Sequence, residues 1–177
     1  MEHLLERFSK IKLMAFDLDG VLTNGKIIIQ CGSEWLREMN IKDGYALQMA
    51  VKSGLHIAVI TGSSSEPVKD RLKSLGIDLF YQNVSSKAMI LFELMDKLKL
   101  SKDEVLFMGD DIPDLDAFNQ SGVKTCPVDA VNEVKEAADY ISYKKGGDGC
   151  VRDVIEKTLK LQGKWNFQDR KSTRLNS

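Results

Sequence analysis

The stretch Ile11-Lys12-Leu13-Met14-Ala15-Phe16, running straight into Asp17-Leu18-Asp19-Gly20-Val21, decides the fold. A short, mostly apolar run that ends in turn-forming residues suits a strand buried on both faces, and such strands belong to parallel sheets covered by helices. The run puts two carboxylates, two residues apart, at the mouth of that strand. Ionised carboxylates beside so apolar a segment lose solvation unless something offsets the loss, and a hard divalent cation with oxygen ligands does so. The pair therefore predicts magnesium and chemistry.

Outward from this stretch, apolar β-rich runs recur at Ile11–Leu18, Leu55–Ile60, Leu79–Tyr81, Val105–Met108 and Val123–Cys126. Between and after them lie helix-length amphipathic segments at Gly44–Ser53, Glu66–Leu75, Ser86–Leu98, Ile112–Ser121, Val131–Ala137 and Cys150–Leu161, several closed by a glycine. This alternation predicts an α/β fold with a doubly wound parallel sheet. One segment breaks the pattern: Lys26–Gln30 and Glu34–Met39, around Cys31-Gly32-Ser33, read as a β-hairpin too small to be a second domain.

Composition narrows the classes. At 177 residues, 43% hydrophobic and a net charge of −1, the chain can bury one sizeable core and carries no bias towards nucleic acid. Cys31, Cys126 and Cys150 are an odd number of cysteines in a chain that needs no staples, which reads as reduced structural thiols in the cytoplasm. No apolar stretch approaches the roughly 18 residues of a membrane span, and Glu2 and Glu6 interrupt what a signal peptide would keep apolar. A single domain over residues 1–164 is expected, with 165–177 as a tail whose last residues, from Lys171, are polar and unpatterned.

In an open parallel sheet the ligand site lies beyond the carboxyl ends of the strands. Asp17 and Asp19 follow the first run, Thr61-Gly62-Ser63 the second, and Gly109-Asp110-Asp111 with Asp114 the fourth, while Lys87 opens a crossover helix. These types suit phosphate-monoester hydrolysis, in which a carboxylate takes the phosphoryl group before water removes it. Asp17 is the candidate nucleophile. Mg²⁺ held by Asp110, with the Lys87 amine, would offset anion repulsion, and Asp19 would protonate the leaving oxygen and later deprotonate water. Thr61 and the backbone N–H groups of Gly62 and Ser63 would bind phosphoryl oxygens, while Asp111 and Asp114 would form the metal's outer support. Each residue has a plainer use: a turn or helix cap for Asp17 to Gly20, a solvated helix position for Lys87, a dipole-complementing helix start for residues 110–116. It is their joint order, each at a strand end, that favours chemistry.

Those four segments resemble the motifs of the haloacid dehalogenase superfamily: Asp17-Leu18-Asp19-Gly20-Val21, Ile60-Thr61-Gly62, Lys87, and Gly109-Asp110-Asp111-Ile112-Pro113-Asp114. The resemblance implies a phosphorylated Asp17, an acid/base Asp19, and magnesium on Asp17, the Asp19 backbone carbonyl and Asp110. With only a hairpin inserted, it implies the capless subclass, in which a homotetramer covers the sites. More narrowly, Asn40-Ile41-Lys42-Asp43-Gly44-Tyr45-Ala46-Leu47, Arg71, Gly146-Gly147-Asp148-Gly149 with Val151-Arg152, and Leu161-Gln162-Gly163-Lys164 are similar to the branch that hydrolyses 3-deoxy-D-manno-octulosonate 8-phosphate, a lipopolysaccharide-sugar phosphate. By that likeness Asn40, Ile41, Lys42, Asp43, Gly44 and Arg71 contact the sugar phosphate, and Gly146–Gly149 reaches a neighbouring subunit's site. Ser63, Gln48 and Asp148 stand where the branch commonly has basic residues, with Lys42, Arg37 and Arg71 as cations that compensate, although a solvated Arg37 on an exposed hairpin fits the sequence equally. The alternatives are a phosphatase of nine-carbon sialic-acid-type sugar 9-phosphates and a non-catalytic phosphatase-like regulatory or assembly domain.

Overall fold

The structure is a computed structural model, and it describes residues 3–29, 31–32 and 35–165. Helix α1 (Leu4–Ser9) precedes β1 (Leu13–Phe16), followed by α2 (Ile41–Lys52), β2 (His56–Ile60), α3 (Glu66–Ser74), β3 (Leu79–Tyr81) and α4 (Lys87–Leu98). The second half runs β4 (Val105–Met108), α5 (Leu115–Phe118), β5 (Val123–Cys126), α6 (Asn132–Ala137), β6 (Tyr140–Ile141) and α7 (Cys150–Leu161). All neighbouring strands pair in parallel, in the order β3-β2-β1-β4-β5-β6. The chain thus winds outward from β1 to one edge, returns to β4 and winds to the other, which places the switch point between β1 and β4.

Strand period two divides the core into layers. Met14 and Phe16 face the side covered by α1, α2 and α7, packing with Phe8, Leu47, Val154 and Ile155. Leu13 and Ala15 face the other side with Leu91, Leu94, Phe107 and Phe118. Every residue of β1 and β4 is buried, as a central strand covered on both faces requires.

Several boundaries differ from the sequence reading. The first strand is Leu13–Phe16 within the longer run, α2 begins at Ile41 because Asn40 caps it through Lys42 N (2.8 Å), and the expected helix from Ile112 divides into a 3₁₀ turn (Ile112–Asp114) and α5. Among the described residues the hairpin shows one antiparallel bridge, with Ile28 and Leu36 exchanging two hydrogen bonds of 3.1 Å. Gln30, Ser33 and Glu34 of that hairpin, and the tail from residue 166, lie outside the described residues. Trp165, assigned to the tail, is buried against the core.

Candidate active site

The loop after β1 fixes the centre of the site. Asp17 N donates to Met108 O (3.0 Å), tying the loop to the end of β4, and Leu18–Leu22 form a single wide turn interrupted at Gly20, where φ is +94°. A Cβ at Gly20 would overlap the Asp110 carboxylate, so glycine is required there both by its backbone and by the approach of the second acidic loop.

Asp17, Asp110 and Asp114 each offer a carboxylate oxygen within 4.8 Å of the others. Lys87 Nζ, at the first turn of α4, lies 2.7 Å from Asp17 Oδ1 and 2.5 Å from Asp114 Oδ1. The other Asp114 oxygen accepts from the backbone N–H groups of Asp110 (2.9 Å) and Asp111 (3.3 Å), so Asp114 braces both the lysine and the loop. Asp110 Oδ1 is buried with no partner among the described residues. Three carboxylates against one ammonium leave an excess of two negative charges, which one divalent cation neutralises. Orphaned oxygen, hard donors and charge excess all fit magnesium.

Acidities follow from the same crowding. Burial, and next the Asp114 charge, push Asp17 up to about 6 against the opposing pull of Lys87. Asp110 rises to about 8, from burial and the charges of Asp17 and Asp114. For Lys87, burial acts downwards, yet its two carboxylate partners prevail and hold it above the ordinary lysine value. A bound cation would reverse the carboxylate shifts.

Asp19 occupies a separate network. Its Oδ1 accepts from Arg37 Nε (2.7 Å) and Thr23 Oγ1 (3.3 Å), and its Oδ2 from Arg37 Nη2 (3.1 Å) and Ser63 Oγ (3.0 Å). Thr61 Oγ1 lies 3.0 Å from Ser63 Oγ and accepts from Ser63 N (3.1 Å). Since the single Ser63 hydroxyl proton goes to Asp19, Thr61 is the donor in the hydroxyl pair. Arg37's side chain is only 4% exposed, which overturns its reading as a solvated hairpin residue. No periodicity or motif in the hairpin sequence signals this contact.

The remaining sequence candidates divide. Gly62 and Ser63 sit beside Thr61 at the end of β2, whereas Asp111 Oδ1 caps the 3₁₀ turn through Ile112 N (2.7 Å). Ile41 and Lys42 are exposed, and Lys42 shares a groove of about 690 Å³ with Asp148 and Arg152. The Asp43 carboxylate is buried and accepts from Gly149 N (3.2 Å) and Arg152 N (2.7 Å), so it holds the start of α7; burial raises it to about 6. Gly44 is buried beside Arg71, whose guanidinium lies 2.9 Å from where a Cβ would stand. The Gly146–Gly149 turn packs against the loop after β1 of its own chain: Gly147 N donates to Val21 O (2.9 Å), Asn40 Nδ2 to Gly147 O (3.2 Å), and a Cβ at Gly146 would overlap Gly20 O. Gln48 is half-buried on α2. Among the described residues no helix is long and apolar enough to cross a membrane.

Comparison with known proteins agrees with this geometry. Residues 41–128 match the family described as haloacid dehalogenase-like hydrolase. The chain is 35% identical over 162 residues to the 3-deoxy-D-manno-octulosonate 8-phosphate phosphatase of Salmonella typhi, covering 92% of this chain and 86% of that one. The crystal structure of the Yersinia pestis phosphatase of that name superimposes with a TM-score of 0.88 at 33% identity, over 91% of this chain and 87% of that chain. That of the Moraxella catarrhalis phosphatase, in complex with magnesium, phosphate and KDO, gives a TM-score of 0.88 at 35% identity over 97% and 99% of the two chains. With a parallel sheet, an acidic centre at its switch point and relatives matched along most of its length, the chain belongs to the haloacid dehalogenase-like hydrolases, in the family of these octulosonate-phosphate phosphatases.

Proposed function

We propose that this protein is a magnesium-dependent phosphatase that hydrolyses 3-deoxy-D-manno-octulosonate 8-phosphate to the free sugar acid and inorganic phosphate. The carrying observation is the Lys87 ammonium bridging Asp17 and Asp114 beside the partnerless buried oxygen of Asp110. The eight-carbon substrate is favoured over nine-carbon sugar phosphates and over a non-catalytic role by the relatives' shared activity.

Asp17 attacks the phosphorus and forms an acyl phosphate as the sugar oxygen leaves. Lys87 anchors the nucleophile and draws charge from the phosphoryl oxygens, and Asp114 holds Lys87 in place. Asp17 and Asp110 with the Asp19 carbonyl would hold Mg²⁺, which lowers the repulsion between carboxylate and phosphate. Asp19 gives a proton to the departing oxygen and takes one from the water that cleaves the acyl phosphate. Thr61 and the N–H groups of Gly62 and Ser63 receive the equatorial oxygens.

Residues 1–164 act as one phosphatase unit. Homotetramers in the cytoplasm are the working form: the hairpin exposes Ile28 (56%), Ile29 (72%) and Trp35 (51%), apolar surface that neighbouring copies would cover, and the described cysteines are free thiols. The test is phosphate release from the octulosonate 8-phosphate with magnesium and with EDTA. Release that persists in EDTA, or a preference for hexose phosphates, would overturn the reading.

A further inference from the structure

Asp19 is fully engaged where it stands. All four of its contacts, from Arg37 Nε, Arg37 Nη2, Thr23 and Ser63, fall on the two oxygens through which it would exchange a proton with the leaving group. A carboxylate clamped on both oxygens by a guanidinium fork is poorly placed to serve a third partner. Proton transfer therefore requires Arg37 to withdraw. The fork is nearly excluded from water, and leaving a bidentate partner uncompensated there is costly, so it withdraws only towards another anion.

Two features make the withdrawal feasible. Arg37 sits on a hairpin in which, among the described residues, a single bridge, Ile28–Leu36, joins the two arms. Its side chain also lines a cleft of about 600 Å³, shared with Trp35, Ser63, Ser64, Glu66 and Asn83, and two of the lining residues, Arg37 and Ser63, are themselves bonded to Asp19. A sugar body fits that volume. Among these lining residues Arg37 supplies the positive charge, and Glu66 is already paired with Lys69 at 3.0 Å.

We infer that Arg37 is a specificity residue: it exchanges its two bonds to Asp19 for the carboxylate of a sugar-acid phosphate lying in the cleft between hairpin and α3, and so frees Asp19 only when a second anionic group is present. This rests on the phosphatase reading above. A phosphate ester without that group leaves the fork on Asp19, and its leaving oxygen goes unprotonated. The hairpin thereby couples recognition at one end of the substrate to proton transfer at the other, with no loop closure required.

The experiment crosses two enzymes with two substrates: wild type and Arg37→Gln, each with 3-deoxy-D-manno-octulosonate 8-phosphate and with its C1 amide. The wild type should prefer the carboxylate by about tenfold or more, and Arg37→Gln should reduce that ratio to within about threefold, by raising KM for the carboxylate while raising kcat for the amide. Arg37→Lys, which keeps the charge without the fork, should fall between them and guards against a misfolded hairpin. An unchanged ratio in Arg37→Gln would overturn the inference alone, as would equal losses on both substrates, which a merely structural Arg37 would give. A wild type that cleaves neither substrate would overturn the phosphatase reading and this inference with it.

Discussion

Asp17 and Asp110 are held in a conflict that magnesium resolves. Without the ion, both carboxyls retain protons well above the 3.8 of a free aspartate, at about 6 and about 8. Between those values the folded protein holds protons that the unfolded chain has released, so metal-free stability declines as pH rises from about 4 to about 8. Metal must displace the same protons, so magnesium affinity climbs through pH 6 to 8 and levels above. Thermal melts in EDTA and in excess magnesium should accordingly diverge with rising pH, the gap reaching about 2.7 kcal/mol at a hundredfold excess over Kd. Asp17→Asn removes the proposed nucleophile and one penalised charge together. It should cut phosphate release by about a thousandfold or more without lowering the melting temperature in EDTA. The placement of Asp17, Thr61, Lys87 and Asp110 at one end of the sheet was readable from the sequence because a parallel sheet delivers its strand ends to one edge. The contact of Arg37 with Asp19 was not, since a hairpin has no period that says where its side chains go, and Asp43 looked like a ligand because its neighbours in sequence carry the family pattern.

At the scale of elements, the tie between α2 and α7 bears the weight that the sequence assigned to substrate. Asp43, in the first turn of α2, accepts from two N–H groups at the start of α7. Asp43→Ala strands both donors and should cost about 1–3 kcal/mol in urea unfolding. Asp43→Asn, which keeps one acceptor, should cost less, and equal losses would mean that the cap contributes nothing. The long strands and helices were legible because hydrophobic period survives over their length. Helix α1, with a capping box from His3 and Glu6, and the two-residue β6 are too short to show one. They form because the sheet edge and the core around Phe8 and Tyr140 give them partners.

For the molecule as a whole, assembly is the property to measure. The hairpin leaves Ile28, Ile29, Trp35 and Leu36 exposed, and sedimentation should show a tetramer at assay concentration. Ile28→Asp with Ile29→Asp should shift it to smaller species while leaving the far-UV spectrum intact; a tetramer that survives would place the contact elsewhere. The packing of Gly146 and Gly147 beneath the loop that follows the first strand has a consequence in time. Cys150 Sγ reaches Val21 O across 129 residues of chain, and Gly147 N bonds the same carbonyl. During synthesis the segment bearing Asp17 emerges early and waits, unsupported, until nearly all of the chain has been made. Such late closure makes for slow folding of that loop and gives it the longest exposure to proteases. A nascent chain halted before residue 146 would carry every acidic residue of the site and still lack the floor that shapes it.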